Sequence, residues 1–175
     1  MFEFYLLHCG YILDHPLFHY NCLSAKAKNF HAILLDEAQE RYVKRYYSGV
    51  KSTMMMPLGA TEAISKTKRT ALPDCVLFIG SYDSEEKLYH MIEQSSEPVR
   101  MFAKKVLEYR LEEPLTTMET IFECVLREHD LELDPAQFAL FMNHMYPVDA
   151  YVRNYFRKKV IECLIKNRIP VKIVG

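Results

Sequence analysis

Short apolar runs, each closing on a polar tip, alternate with helix-spaced stretches in the first third of the chain. Tyr5 to Leu13 is apolar and predicts a buried first strand ending at Asp14-His15-Pro16. Residues 17–28 carry a weaker helical or loop pattern. Phe30 to Leu35 (FHAILL) is a short apolar run that predicts a buried parallel strand. Asp36 then stands at an N-cap position, with Gln39 three residues on as its capping-box partner. The helix predicted from there runs through Ala38, Tyr42, Val43 and Tyr46 and stops at Gly49. Val50 to Leu58 (VKSTMMMPL) reads as another strand, with Met54–Met56 suited to burial on both faces. Strand, helix, strand with short links is the pattern of a βαβ unit in a parallel sheet.

The pattern then changes. Residues 60–73 (ATEAISKTKRTALP) turn polar and basic through Lys66, Lys68 and Arg69, which predicts a linker over 61–73. Cys75 to Ile79 is a strongly apolar strand, followed by the turn Gly80-Ser81-Tyr82. From Asp83 to Asn167 the spacing is helical. Start signals are Asp83 with Glu86, Pro98 after Glu97, Thr116 with Glu119, and Asp134 with Pro135 and Gln137. The last helix is expected from about Asp149, carrying Val152, Phe156, Val160, Ile161 and Leu164 inward. Arg153, Arg157, Lys158 and Lys159 lie mostly on its other side, and Asn167-Arg168 stop it. Ile169 to Val174 reads as a final strand, with Pro170 tolerated at its start. The expected domains are therefore 1–60, a linker at 61–73, and 74–175 with a helical insertion at 84–147. Two strands are too few to stand alone as the sheet of that second unit. The chain reads as cut at Gly175, where a covering helix would normally follow.

Composition narrows the function classes. Of 175 residues, 50% are hydrophobic and 26% charged, a globular balance that excludes a disordered tail. The net charge of −1 demotes nucleic-acid binding by phosphate neutralisation. No apolar run approaches the ~18 residues of a membrane span. The N-terminal run carries Glu3 and lacks a basic flank, so it makes a poor signal peptide. Cys9, Cys22, Cys75, Cys124 and Cys163 lie far apart without a CxxC pair, which predicts reduced core cysteines in a cytoplasmic protein. No repeat or low-complexity segment is present.

Ligands of parallel α/β sheets bind at the carboxyl edge of the strands. The residues expected there are Asp14-His15-Pro16, Asp36-Glu37, Pro57-Leu58-Gly59, Gly80-Ser81-Tyr82 and Gly175. His15 beside Asp14 suits a general base acting on a hydroxyl; the plainer alternative is a cap and a turn. Gly80 and Ser81 suit close approach of backbone N–H groups to a phosphate; the alternative is an ordinary strand-to-helix turn, since neither GxGxxG nor GxxxxGK[ST] occurs. Arg157 and its basic neighbours suit a phosphate or an acidic partner, or else a solvated face. His15, His19 and Cys22 match no closed zinc pattern, so no metal is expected. Tyr42, Tyr46, Tyr47, Tyr151, Tyr155 and Phe156 read as packing residues rather than a base-stacking platform.

Five strings, taken in order, resemble the spore-maturation CgeB-type glycosyltransferases: ILDHPLFHY (12–20), ILLDEAQERYVKRYY (33–47), MMPLGA (55–60), DCVLFIGSY (74–82) and VDAYVRNYFRKKVIECLIKNRIPVKIVG (148–175). That family has the GT-B fold, in which two Rossmann-like domains face a cleft. The resemblance implies parts of two Rossmann-like parallel-sheet domains with a helical insertion, and sugar transfer from a nucleotide-sugar donor, with no permanently bound cofactor. The acceptor is then expected near Asp14, His15 and Asp36, and the donor phosphate near Gly80, Ser81 and Tyr82, with Arg157 in support. The family's opening strands and the rest of its donor domain have no counterpart in the chain, so the expected product is inactive alone. The competing expectation is an assembly module: the helical segment and exposed sheet edges associate with a second copy or with a partner chain that completes the fold.

Overall fold

The computed structural model describes residues 8–25, 27, 29–59, 75–80 and 83–174. The expected linker at 61–73, Ser81, Tyr82 and Gly175 lie outside the described residues. Along the chain the elements are β1 (His8–Ile12), a 3-10 turn (Pro16–His19), α1 (Tyr20–Leu23), β2 (Phe30–Leu34), α2 (Glu37–Tyr46), β3 (Ser52–Met55), β4 (Val76–Ile79), α3 (Glu85–Glu93), α4 (Glu97–Glu112), α5 (Met118–Glu128), α6 (Pro135–His144), α7 (Tyr146–Lys166) and β5 (Val171–Val174). The chain is α/β, with small parallel sheets and seven helices among the described residues. No helix among those residues is long and apolar enough to cross a membrane.

Two sheets form, and they are separate. β1, β2 and β3 make one, in that order, with Gly10, Ala32 and Thr53 in register across it. β4 and β5 make the other, also parallel, with Val76 opposite Val171 and Ile79 opposite Val174. The chain divides into two compact units: one draws on Met1–Ala60 and Leu126–Tyr146, the other on Thr61–Val125 and Pro147–Gly175. The helical stretch 84–147, expected whole within the second domain, is thus shared, because residues 126–146 group with the first sheet.

In the first unit α2 covers one face of the sheet. Gln39, Tyr42, Val43 and Tyr46 recur at helical spacing and are buried, while Glu37–Arg41 and Glu40–Lys44 pair on the other side. Glycine at 10 and alanine at 32 keep the covered face low, and a side chain at Gly10 would meet the Phe30 ring at 3.0 Å. β2 is buried at Phe30, Ala32 and Leu34 but only half-buried at His31 and Ile33. It is a strand with one covered face. Among the described residues β3 is an edge strand, and Met54, Met55 and Met56 are 54%, 45% and 42% exposed, so the expected burial on both faces is not found. α6 packs on α2, on α1 and on the 3-10 turn; Phe138 stacks on Tyr46 at 4.3 Å and 8°, and the Asn143 side-chain amide donates to Leu17 O at 2.9 Å.

In the second unit the core is helical: Leu88 and Ile92 of α3, Phe102, Val106 and Leu107 of α4, Ile121, Phe122 and Val125 of α5, and Val152 of α7. α7 starts at Tyr146 and buries its first half only. Val160, expected inward, is 57% exposed, and Phe156, Ile161 and Leu164 are half-buried. In the two-stranded sheet Leu77, Ile79 and Ile173 stand 51%, 73% and 60% exposed. All five cysteines are free, yet none is in the core: three are exposed and Cys75 and Cys124 are half-buried.

The helix ends follow local chemistry. At α6 the capping box is complete, with Gln137 N–H donating to Asp134 Oδ1 at 2.8 Å and Asp134 N–H to Gln137 Oε1 at 3.1 Å. α3 is capped by Ser84 rather than Asp83, and Thr117 rather than Thr116 receives the Thr120 N–H at the start of α5. Each shift is one residue, a distance that spacing does not resolve. α5 and α7 both close with a left-handed residue, Asp130 (φ 53°) and Arg168 (φ 59°), and with the paired backbone bonds of a Schellman motif. Gly49 does not act that way: α2 ends at Tyr46, and Gly49 has no positive φ.

Candidate functional site

Parallel β1 and β2 deliver their carboxyl ends side by side, with Ile12 in register with Leu34. Asp14-His15 follows one strand and Asp36 the other. One residue ties these tips together. Gln39, 8% exposed, accepts the Leu35 N–H through Oε1 at 2.9 Å and donates from Nε2 to Asp14 O at 3.2 Å. Its own N–H donates to Asp36 Oδ1 at 2.8 Å, which is half of the expected capping box. The returning half is absent, because the Gln39 amide is spent on bridging the two strand ends. A third tie comes from Tyr11, whose hydroxyl donates to Met56 O at 3.0 Å just past β3.

Asp14 is exposed and His15 half-buried. The His15 ring stands edge-on to Tyr42 with centroids 4.9 Å apart. Its Nδ1 accepts the Leu17 N–H at 3.1 Å and so caps the 3-10 turn. An imidazole holding an N–H on Nδ1 carries its own proton on Nε2 when neutral. The capping role proposed as the plainer alternative is therefore present, though His15 rather than Asp14 supplies it. To act as a base, His15 would have to give up that bond. Asp36 is committed likewise to the α2 N-terminus.

The second predicted cluster lies in the other unit. Gly80 follows β4, and its N–H donates to Val174 O at 3.1 Å, which extends the pairing with β5 and leaves that group unavailable to a phosphate. Beyond it, α3 starts with Glu85 and Glu86 in its first turn, so carboxylates already complement the positive end of the helix. α7 runs beside this turn. Asn154, 4% exposed, donates to Asp83 O at 3.3 Å, and Lys158 pairs with Glu85 at 3.4 Å. Burial first, then the Glu85 charge, pushes the Tyr151 phenol above its ordinary range. Arg157 is exposed on the same stretch of α7. Of its basic neighbours, Arg153 pairs with Asp149 at 2.9 Å and Lys159 with Glu162 at 3.4 Å. Lys158 is likewise engaged, so the basic face is largely neutralised. No group of three or more metal-ligating side chains occurs among the described residues.

Sequence reasoning thus identified the strand tips but missed two buried amides. Gln39 was visible only as a capping partner, and Asn154 gave no signal because it sits among apolar positions of an unremarkable helix. Comparison with known proteins yields no matching family model, curated protein or solved structure.

Proposed function

We propose that the chain is related to GT-B glycosyltransferases and forms part of an apparatus that transfers a sugar from a nucleotide-sugar donor to an acceptor. The observation carrying this reading is the pair of separate, all-parallel sheets in two compact units; the strings that resemble the CgeB-type family contain β4 and β5 and begin at the carboxyl ends of β1, β2 and β3. In this reading the tips at Asp14, His15 and Asp36 face the acceptor, and the β4–α3 turn with Gly80 and Arg157 faces the donor. The half-exposed first sheet and the uncovered second one support the expectation that this chain alone is inactive, since transfer needs both partners rigidly positioned. Titration calorimetry with UDP- and GDP-sugars tests the donor claim: weak binding at millimolar concentration is expected, and silence there removes the transferase reading from this chain.

A second reading, assembly with a further copy or a completing chain, is favoured by the exposed apolar residues of β4 and β5. Light scattering after size exclusion tests it. Concentration-dependent association is expected, and a strict monomer across the micromolar range rejects it.

A further inference from the structure

The turn Pro16–His19 carries the chain away from the Asp14 strand tip, and a histidine stands at each end of it. Leu17 within the turn is fully buried, and its carbonyl accepts the Asn143 side-chain amide of α6 at 2.9 Å. The Phe18 ring meets Tyr146, just past α6, at 6.5 Å. The turn therefore latches α6 to the chain that follows β1. Both histidines fit this arrangement as neutral rings. His15 Nδ1 accepts the Leu17 N–H at 3.1 Å, and a proton on Nδ1 would turn that acceptor into a second donor facing the same N–H. His19 Nε2 is buried without a hydrogen-bond partner among the described residues. An imidazolium there would hold a charged N–H with no acceptor, which costs more than an unpaired neutral nitrogen.

α1, α2 and α6 pack against the turn. The titratable groups they bring are Tyr20 and Cys22 from α1, Tyr42 and Tyr46 from the buried stripe of α2, and His144 from α6. The charges of α2 pair away from that stripe, Glu37 with Arg41 and Glu40 with Lys44, and Arg45 lies over the Tyr46 ring. Asp14 precedes His15, and Asp36 caps α2. These two carboxylates draw a proton toward the edge and His144, once charged, opposes it; none of the three restores an acceptor to the Leu17 N–H.

We propose that the Pro16–His19 turn is an acid-released latch: neutral His15 and His19 hold it closed, and their protonation frees it and loosens α6. The closed turn binds fewer protons than the open one, so closure is complete above the ordinary histidine range near about 6.5 and weakens as pH falls through it. Hydrogen exchange of the full chain at about pH 7.5 and about pH 5.5, corrected for the intrinsic pH dependence of exchange, tests it. Protection of the Leu17 and α6 amides is expected to fall at least fivefold at the lower pH, roughly the loss of one neutral hydrogen bond, with α4 unchanged. His15→Asn keeps a side-chain oxygen for the N–H two residues on and does not titrate. Combined with His19→Gln, it is expected to abolish most of the pH dependence. In the unaltered chain, the imidazole nitrogen shifts of His15 are expected to titrate together with the Leu17 amide, which decides the matter should the double variant not fold. Leu17 protection that ignores pH, equal loosening of α4, full pH dependence in the double variant, or a Leu17 amide indifferent to the His15 titration each overturns the proposal.

Discussion

Replacing Phe138 with alanine tests how far the first sheet depends on a helix encoded some 80 positions after β3. The ring is 4% exposed and lies flat on Tyr46 at 4.3 Å. Tyr46 in turn belongs to the buried stripe of α2, the helix that packs on β2 and β3. Removing a buried phenyl ring costs about 3–5 kcal/mol where the site cannot collapse, and the stacked geometry adds about 0.5–1.5 kcal/mol that alanine also forfeits. A domain of this size has about 5–15 kcal/mol in total, so the loss is a large share of the first unit's stability. Hydrogen exchange with mass-spectrometric readout separates the units. Amides of β2 and α2 are expected to exchange at least 100-fold faster, as about 3 kcal/mol requires. Amides of α3 and α4 are expected to change little. Equal loosening of α4 and β2, or a change in β2 below fivefold, would refute the assignment of α6 to the first sheet.

Other substitutions address the strand tips and the caps. Gln39→Leu leaves the Leu35 N–H and Asp14 O without their partner, and is expected to lower stability by about 1–3 kcal/mol in urea unfolding; an unchanged midpoint would mean the bridge is idle. Glu40 is held below the usual carboxylate range, first by the Thr53 hydroxyl at 2.6 Å and then by Lys44. Because its folded pKa is depressed, its stabilising effect is present above the unfolded value and disappears as pH falls through the folded one. Thr53→Val should therefore move the Glu40 titration, followed by NMR, upward toward ordinary carboxylates, and no movement would exclude the hydroxyl as the cause. Arg168→Gly removes a left-handed non-glycine residue from the end of α7 and should stabilise by about 0.5–1 kcal/mol in thermal melts, with loss of stability as the contrary outcome.

The parts of the fold legible in the sequence are those set by short-range patterning. Apolar runs ending at Leu13, Leu35 and Ile79 became parallel strands because each run is bounded by polar or turn residues, and the Asp134–Gln137 box formed as read. Burial was less legible, since it depends on what lies beside an element. Met54–Met56 and Val160 look like core residues in isolation, but among the described residues β3 lies at the sheet's edge and Val160 in the second half of α7 is exposed. The placement of residues 126–146 with the first sheet was also hidden, because nothing local to Phe138 or Asn143 names Tyr46 and Leu17 as partners. At the candidate site, spacing placed His15 and Asp36 at strand ends. It did not show that His15 Nδ1 caps the next turn, nor that Gln39 joins the two tips.

The most direct measurement of the central claim is an NMR titration of the full chain with a UDP-sugar, and separately a GDP-sugar, to millimolar concentration. The transferase reading predicts shifts in at least one series for Gly80, Asp83 and Asn154, around the turn that follows β4, with none along α6. Unchanged spectra in both series, or shifts confined to α6, would contradict it.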